Sequence, residues 1–210
     1  MRKLKKVSVK SQATDKREPY HHGDLRAHLI ETVRQLVEEK GVDGFSISQA
    51  ARIAGVSSAA PYKHFSDKME IVRAVALEGM HRLGAAMRDA AQGASATKFG
   101  KIDAIGKAYV DFARAEPGVF RLMFGLTETH AADPEIMCTG LETYGILLQE
   151  VAAALPEGTS ETDVQRRSYL LWSFVHGHSF LQIDGKVDAS KMAASEDELL
   201  AELSRRVLGS

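Results

Sequence analysis

Apolar residues recur at three- and four-residue steps along most of the chain, the spacing that gathers them on one face of an α-helix. Leu25, Leu29, Val33, Leu36 and Val37 mark a first helix, which Gly41 stops as a C-terminal glycine does. A short second helix opens at Ser46-Ile47-Ser48-Gln49, a capping box in which the Ser46 hydroxyl accepts from the Gln49 N–H and the Gln49 side chain reaches back. Its face is small: Ile47, Ala50, Ala51 and Ala54. Gly55-Val56 breaks it, and Ser57 or Ser58 is expected to cap a third short helix running to about Phe65, with Pro61 in the first turn, where a missing N–H costs least. Asp67-Lys68-Met69-Glu70 resembles another capping box and starts a long helix reaching about Gln92.

Beyond Gly93-Ala94-Ser95 the helical pattern continues. Residues 98–115 carry Phe99, Ile102, Ile105, Tyr109 and Phe112 on one stripe. Pro117 and Pro134 sit where a first helical position falls, the second behind Asp133 as a cap. Further helices are expected from 134 to about Leu155, from about Glu161 to Ile183, and after the capping box Ser195-Glu196-Asp197-Glu198, where Leu199, Leu203 and Val207 share a face. No segment alternates at period two and none repeats. The expected fold is all-α, with about nine helices.

Composition narrows the class. The 210 residues suffice for a substantial core without staples. Cys138 is the single cysteine, so neither an intramolecular disulfide nor a multi-thiolate zinc site can form, and a reducing cytoplasm is the expected setting. The longest strongly apolar run, Tyr169 to Val175, is far too short for a bilayer, and the charged start Met1 to Lys6 is followed by no hydrophobic signal segment. Charge is unevenly placed: residues 1–68 carry 13 Lys/Arg against 8 Asp/Glu, and the remainder 14 against 20. Seven of the cations fall within residues 1–17, an aperiodic arm opposed only by Asp15. A basic first third on an acidic body points to a polyanion partner. A solubilising tail is the simpler account of the arm alone.

Between Ser46 and Phe65 the requirements of a helix-turn-helix are met together. Alanines allow the two helices to cross closely, Gly55-Val56 supplies the turn and its apolar plug, and Ser58-Ala59-Ala60 lets the backbone approach base edges. The segment from Tyr20 to about Met80 closely resembles the N-terminal DNA-binding domain of TetR-family transcriptional regulators. The resemblance is carried by Gly41-Val42-Asp43-Gly44-Phe45-Ser46-Ile47, by Ala51-Arg52-Ile53-Ala54-Gly55-Val56-Ser57 and by Tyr62-Lys63-His64-Phe65-Ser66-Asp67-Lys68. The start Tyr20-His21-His22-Gly23-Asp24-Leu25-Arg26 is similar to one subgroup, and Trp172-Ser173-Phe174-Val175-His176-Gly177 resembles the Trp-His-Gly (WHG) motif of a C-terminal domain in the family.

That resemblance implies a basic arm (1–17), a helix-turn-helix domain (18–78) and a C-terminal domain (79–210) that binds a small-molecule effector and dimerises through the helices near 161–183 and 195–208. It implies a homodimer on a palindromic double-stranded operator, no cofactor and no membrane. Carried over by position, Tyr62 and His64 meet phosphate or a base edge, Lys68 meets a phosphate, Ser46 and Ser48 face the DNA backbone, and Ala59, Ala60 and Lys63 occupy base-reading positions. Alanine offers only a methyl contact, so sequence preference would rest on Ser58, Lys63 and DNA shape. Pro61 stands where the family has an aliphatic residue. Within the C-terminal domain Tyr109, Phe112, Phe120, Met123, Phe124, Tyr144, Trp172 and His176 are candidates to line an effector pocket.

Other chemistry finds little footing. His21-His22 and His176-Gly177-His178 lack the second ligand pair of a metal site. Ser173 and His176 lack an acid and a nucleophile elbow, and no glycine-rich phosphate loop occurs, so no enzyme is expected. The reading is a ligand-responsive transcriptional repressor. Activation is also compatible with the sequence, and two other classes stay open: an architectural DNA binder without sequence preference, and a small-molecule-binding all-α protein whose helix-turn-helix contacts protein.

Overall fold

The computed structural model describes residues 25–125, 133–187, 191 and 193–209. Among them are eight α-helices and no strand: α1 (Leu25–Lys40), α2 (Ile47–Ile53), α3 (Lys68–Gln92), α4 (Gly100–Ala115), α5 (Pro117–Gly125), α6 (Pro134–Ala154), α7 (Glu161–Ile183) and α8 (Glu196–Leu208). The all-α expectation holds. The basic arm and the motif residues Tyr20 to Asp24 lie outside the described residues.

Local signals act as their chemistry requires. Ser46, Asp67, Asp133, Ser160 and Ser195 each accept an otherwise unpaired first-turn N–H, and Ser195 with Glu198 completes a full capping box. Gly41 and Gly55 take φ of +71° and +72°, conformations that a Cβ disfavours, at the end of α1 and in the turn after α2.

One element departs from expectation. In place of a third short α-helix there is a single 3-10 turn, Pro61–Lys63, with no side-chain cap from Ser57 or Ser58. Pro61 has no N–H to offer Ser57. The backbone therefore closes with three-residue bonds, from Ala60 N–H to the Ser57 carbonyl at 3.0 Å and from Lys63 N–H to the Ala60 carbonyl at 3.2 Å.

Helix α3 is the spine. Its first turns pack on α1, and farther along it lies against α4, α5 and α6, while α7 and α8 cover α4 from the other side. One continuous apolar core runs from Leu29 to Leu208, with Val72, Val75, Val110, Phe120 and Val151 sealed from solvent. Two polar clasps bind the α1–α3 end to the larger helical body. The Glu38 carboxylate at the end of α1 accepts the Gly118 and Val119 N–H groups, both at 2.8 Å, and so caps α5 from 80 residues away. Arg73 on α3 pairs with Asp133 and, at 2.6 Å, with Glu135, gripping the N-terminus of α6. That guanidinium holds the Asp133 carboxyl well below the usual carboxylate range, against the opposing effect of desolvation.

Candidate nucleic-acid interface and ligand cavity

At the α1–α3 end, the underside of α2 and the 3-10 turn meet over Ile47, Ala50, Pro61 and Phe65, which surround one small void with Leu29 and Ile71. Their outer sides therefore share a surface. Ser46, Ser48, Ser58, Ala59, Tyr62, Lys63 and His64 are all exposed there, and Ala60 is half-buried. Tyr62 leaves 57% of its surface open to water. The Ser46 oxygen accepts the Gln49 N–H at 3.2 Å, which leaves its own O–H free to donate outward. Lys68 is more constrained than its spacing suggests. Its ammonium lies 4.5 Å above the Phe45 ring, a cation–π contact that fixes the charge beside α2. Arg52 and Ile53 of α2 are exposed as well and were not among the expected contacts. The helical spacing opposite Ala50 and Ala54 would have revealed them.

The second feature is a cavity of about 720 Å³, mouth included, enclosed by α3 to α8. Met80, Leu83 and Met87 of α3 form one wall, and Met123 and Phe124 of α5 another. Of the eight residues expected from sequence, Tyr109, Met123, Phe124, Tyr144 and Trp172 line it. Phe112, Phe120 and His176 do not. Phe112 and Phe120 are core, and Phe120 packs edge-on against Tyr109 at 5.6 Å. His176 acts one layer back, with its Nδ1 2.8 Å from the Tyr109 hydroxyl. Burial pushes the His176 pKa down and the Tyr109 pKa up, so near neutral pH a protonated phenol donates to a neutral imidazole. Trp172 completes the wall with its indole 5.5 Å from both Tyr144 and His176.

Aliphatic positions contributed by α3 and α8 were missed because, in sequence, a cavity wall and a core face have the same periodicity. So was Asp103, the one carboxylate on the lining among the described residues. Its place in the first turn of α4 reads as ordinary dipole compensation.

A third surface is apolar and uncovered. Tyr169, Leu170 and Leu181 of α7 are 59%, 51% and 46% exposed, and Met137 and Leu141 on neighbouring α6 are also open. Among the described residues no three His, Cys, Asp or Glu side chains converge as a metal site requires, and no helix is long and apolar enough to cross a membrane.

Comparison with known proteins agrees at both ends of the molecule. Residues 29–75 match the model of bacterial regulatory proteins of the tetR family, and residues 102–207 match that of the tetracyclin repressor-like C-terminal domain. Among solved structures the chain is similar to a protein of unknown function from Rhodococcus sp. RHA1. The two are 32% identical over 91% of this chain and 97% of that one, with a TM-score of 0.77. The fold is shared with the TetR family transcriptional regulator PfmR from Thermus thermophilus (17% identity, 87% and 97% coverage, TM-score 0.59). It is shared also with the fatty acid degradation regulator FadR from Bacillus halodurans (15% identity, 87% and 93% coverage, TM-score 0.65). No curated protein matches by sequence. A helix-turn-helix end with an exposed tyrosine, joined by one continuous helix to a cavity-bearing helical body, thus coincides with both family matches: the chain belongs to the TetR family of transcriptional regulators.

Proposed function

We propose that the protein is a cytoplasmic, homodimeric repressor whose affinity for a palindromic operator is set by a small molecule in the α3–α8 cavity. The carrying observation is that one rigid helix serves both sites. Ile71, Val72 and Val75 of α3 are buried at its helix-turn-helix end, while Met80, Leu83 and Met87 of the same helix line the cavity. A ligand that spreads the cavity wall tilts α3, and the tilt moves the DNA-reading surface. The Glu38 and Arg73 clasps carry the same motion from α5 and α6. The segment Trp172 to Gly177 supports placement in the Trp-His-Gly subgroup.

In a dimer, two reading surfaces must sit about 34 Å apart to enter successive major grooves. A state with different spacing binds more weakly, and a coupling of about 1–3 kcal/mol changes affinity roughly 5- to 150-fold. Tyr62, His64, Ser46, Ser48 and Lys68 serve as backbone or base-edge contacts, with Ser58, Ala59, Ala60 and Lys63 at the groove floor. The exposed α7 face, Tyr169 with Leu170 and Leu181, is the surface a second copy covers, with α8 beside it.

The test is a selection of genomic fragments by purified protein at physiological salt, run beside Tyr62→Ala. Recovery of one short palindrome by the native protein alone supports the reading. Uniform recovery of all fragments instead indicates an architectural binder. Recovery of none by either protein contradicts the regulator reading.

A further inference from the structure

Asp103 is at odds with its surroundings. Among the described residues it is the only carboxylic acid on a cavity wall that is otherwise almost entirely apolar or aromatic. Its Oδ1 is buried and has no hydrogen-bond partner. No ion pair reaches it among the described residues. The nearby lysines on α4 are engaged elsewhere: Lys101 with Glu150 at 3.1 Å, and Lys107 with Asp197 at 3.2 Å. A carboxylate oxygen withdrawn from water without a partner is costly, and such orphans are rare in native proteins. The position within the first turn of α4 favours a negative charge there but gives Oδ1 no donor.

Two of the other polar groups on the wall are already engaged. The Thr143 hydroxyl donates to the Thr139 carbonyl at 2.9 Å, and the Tyr109 hydroxyl is held by His176. Beside them Asp103 sets an orphaned carboxyl oxygen on an apolar wall that also carries the rings of Tyr109, Tyr144 and Trp172. An ionised carboxylate can only accept, so its missing partner is a donor. A cationic donor satisfies the hydrogen bond, neutralises the charge and is attracted to the aromatic faces as well. A neutral alcohol does only the first. A carboxylate ligand does none of these and is repelled.

From this we infer that the cavity takes a hydrophobic amine: a small apolar body carrying one protonated nitrogen that pairs with Asp103. The inference rests on the proposed effector role of the cavity and specifies its ligand class.

Three matched probes test it: 4-phenylbutylamine, 4-phenylbutanol and 4-phenylbutanoate, titrated into the full chain at neutral pH. Trp172 is the single tryptophan and lines the cavity, so its fluorescence reports occupancy directly. The amine is expected to bind about tenfold or more tightly than the alcohol, with the acid weakest, as a charge-assisted hydrogen bond to a desolvated group implies. In Asp103→Asn, which keeps the shape, the amine falls to the affinity of the alcohol, while alcohol binding stays within about threefold. Equal binding of amine and acid by the native protein overturns the inference without recourse to any variant. So does an amine preference that survives in Asp103→Asn, or a complete absence of amine binding. Operator affinity measured in the same samples separates the two claims. Asp103-dependent amine binding that leaves DNA affinity unchanged sinks the effector reading but not the site. Release of DNA by the alcohol, independent of Asp103, retains the regulator and removes the amine.

Discussion

Glu38→Ala removes the carboxylate that joins the α1–α3 end to the larger helical body. Gly118 and Val119 offer the first-turn N–H groups of α5, which a helix cannot satisfy internally, and both donate to Glu38 at 2.8 Å. Hydrogen bonds to a charged partner contribute about 1.5–3 kcal/mol when buried. This carboxylate is half-buried, and water replaces part of what alanine removes. The attraction of an anion to the helix N-terminus adds about 0.3–1 kcal/mol. The expected net loss is therefore about 1–2 kcal/mol, the range measured for helix caps. For a chain of this size that corresponds to a fall in Tm of about 2–8 °C. Urea unfolding at fixed protein concentration measures it, since the proposed dimer would make stability concentration-dependent. Glu38→Gln, which keeps one acceptor oxygen but no charge, should fall between. A Glu38→Ala protein within about 0.5 kcal/mol of the native one, the scatter of ordinary surface changes, would falsify the clasp.

Three further outcomes follow from the same geometry. Gly118→Ala puts a Cβ 2.8 Å from the Val37 carbonyl oxygen and 2.9 Å from the Glu38 Cα, so backbone must yield, and a loss of about 1–3 kcal/mol in chemical denaturation is expected. Burial lowers the His176 pKa, so its neutral form is favoured on folding. The corresponding stability is complete above the unfolded value near 6.5 and is lost as pH falls through the lower folded value. His176→Gln should thus flatten the decline in Tm between pH 7 and pH 5 relative to the native protein, and an unchanged slope refutes it. Leu170→Glu places a charge in the exposed apolar face of α7 and should weaken dimerisation by roughly tenfold or more in sedimentation equilibrium, without a fall in helicity.

Much of this was legible along the chain because the signals are local. Capping residues at Ser46, Asp67, Asp133 and Ser195 fixed helix starts to within a residue, and the all-α class came directly from the unbroken three- and four-residue spacing. The third short helix was misjudged because its signal was steric and its failure was a matter of bond counting. Pro61 is tolerated early in a helix, yet with so few residues after it the lost N–H leaves only a 3-10 turn. Long-range features had no local signature. Nothing near Glu38 announces a helix start 80 residues on. Nor does the sequence distinguish Trp172, on the cavity wall, from Phe120, sealed behind it, since both are aromatic and sit on an inward helical face. Asp103 is informative only once its neighbours are known to be apolar.

Coupling between cavity and DNA is the central claim, and it can be tested before any effector is known. Gly140 of α6 lines the cavity, and a Cβ built there meets nothing within 4 Å. Gly140→Phe is designed to place a ring in the chamber and, by replacing a mid-helix glycine, gains a few tenths of a kcal/mol of helix propensity. Operator affinity of this variant, measured by fluorescence anisotropy on the selected palindrome, should fall at least about fivefold while Tm holds or rises. A stable, filled protein that binds the operator as tightly as the native one contradicts the account.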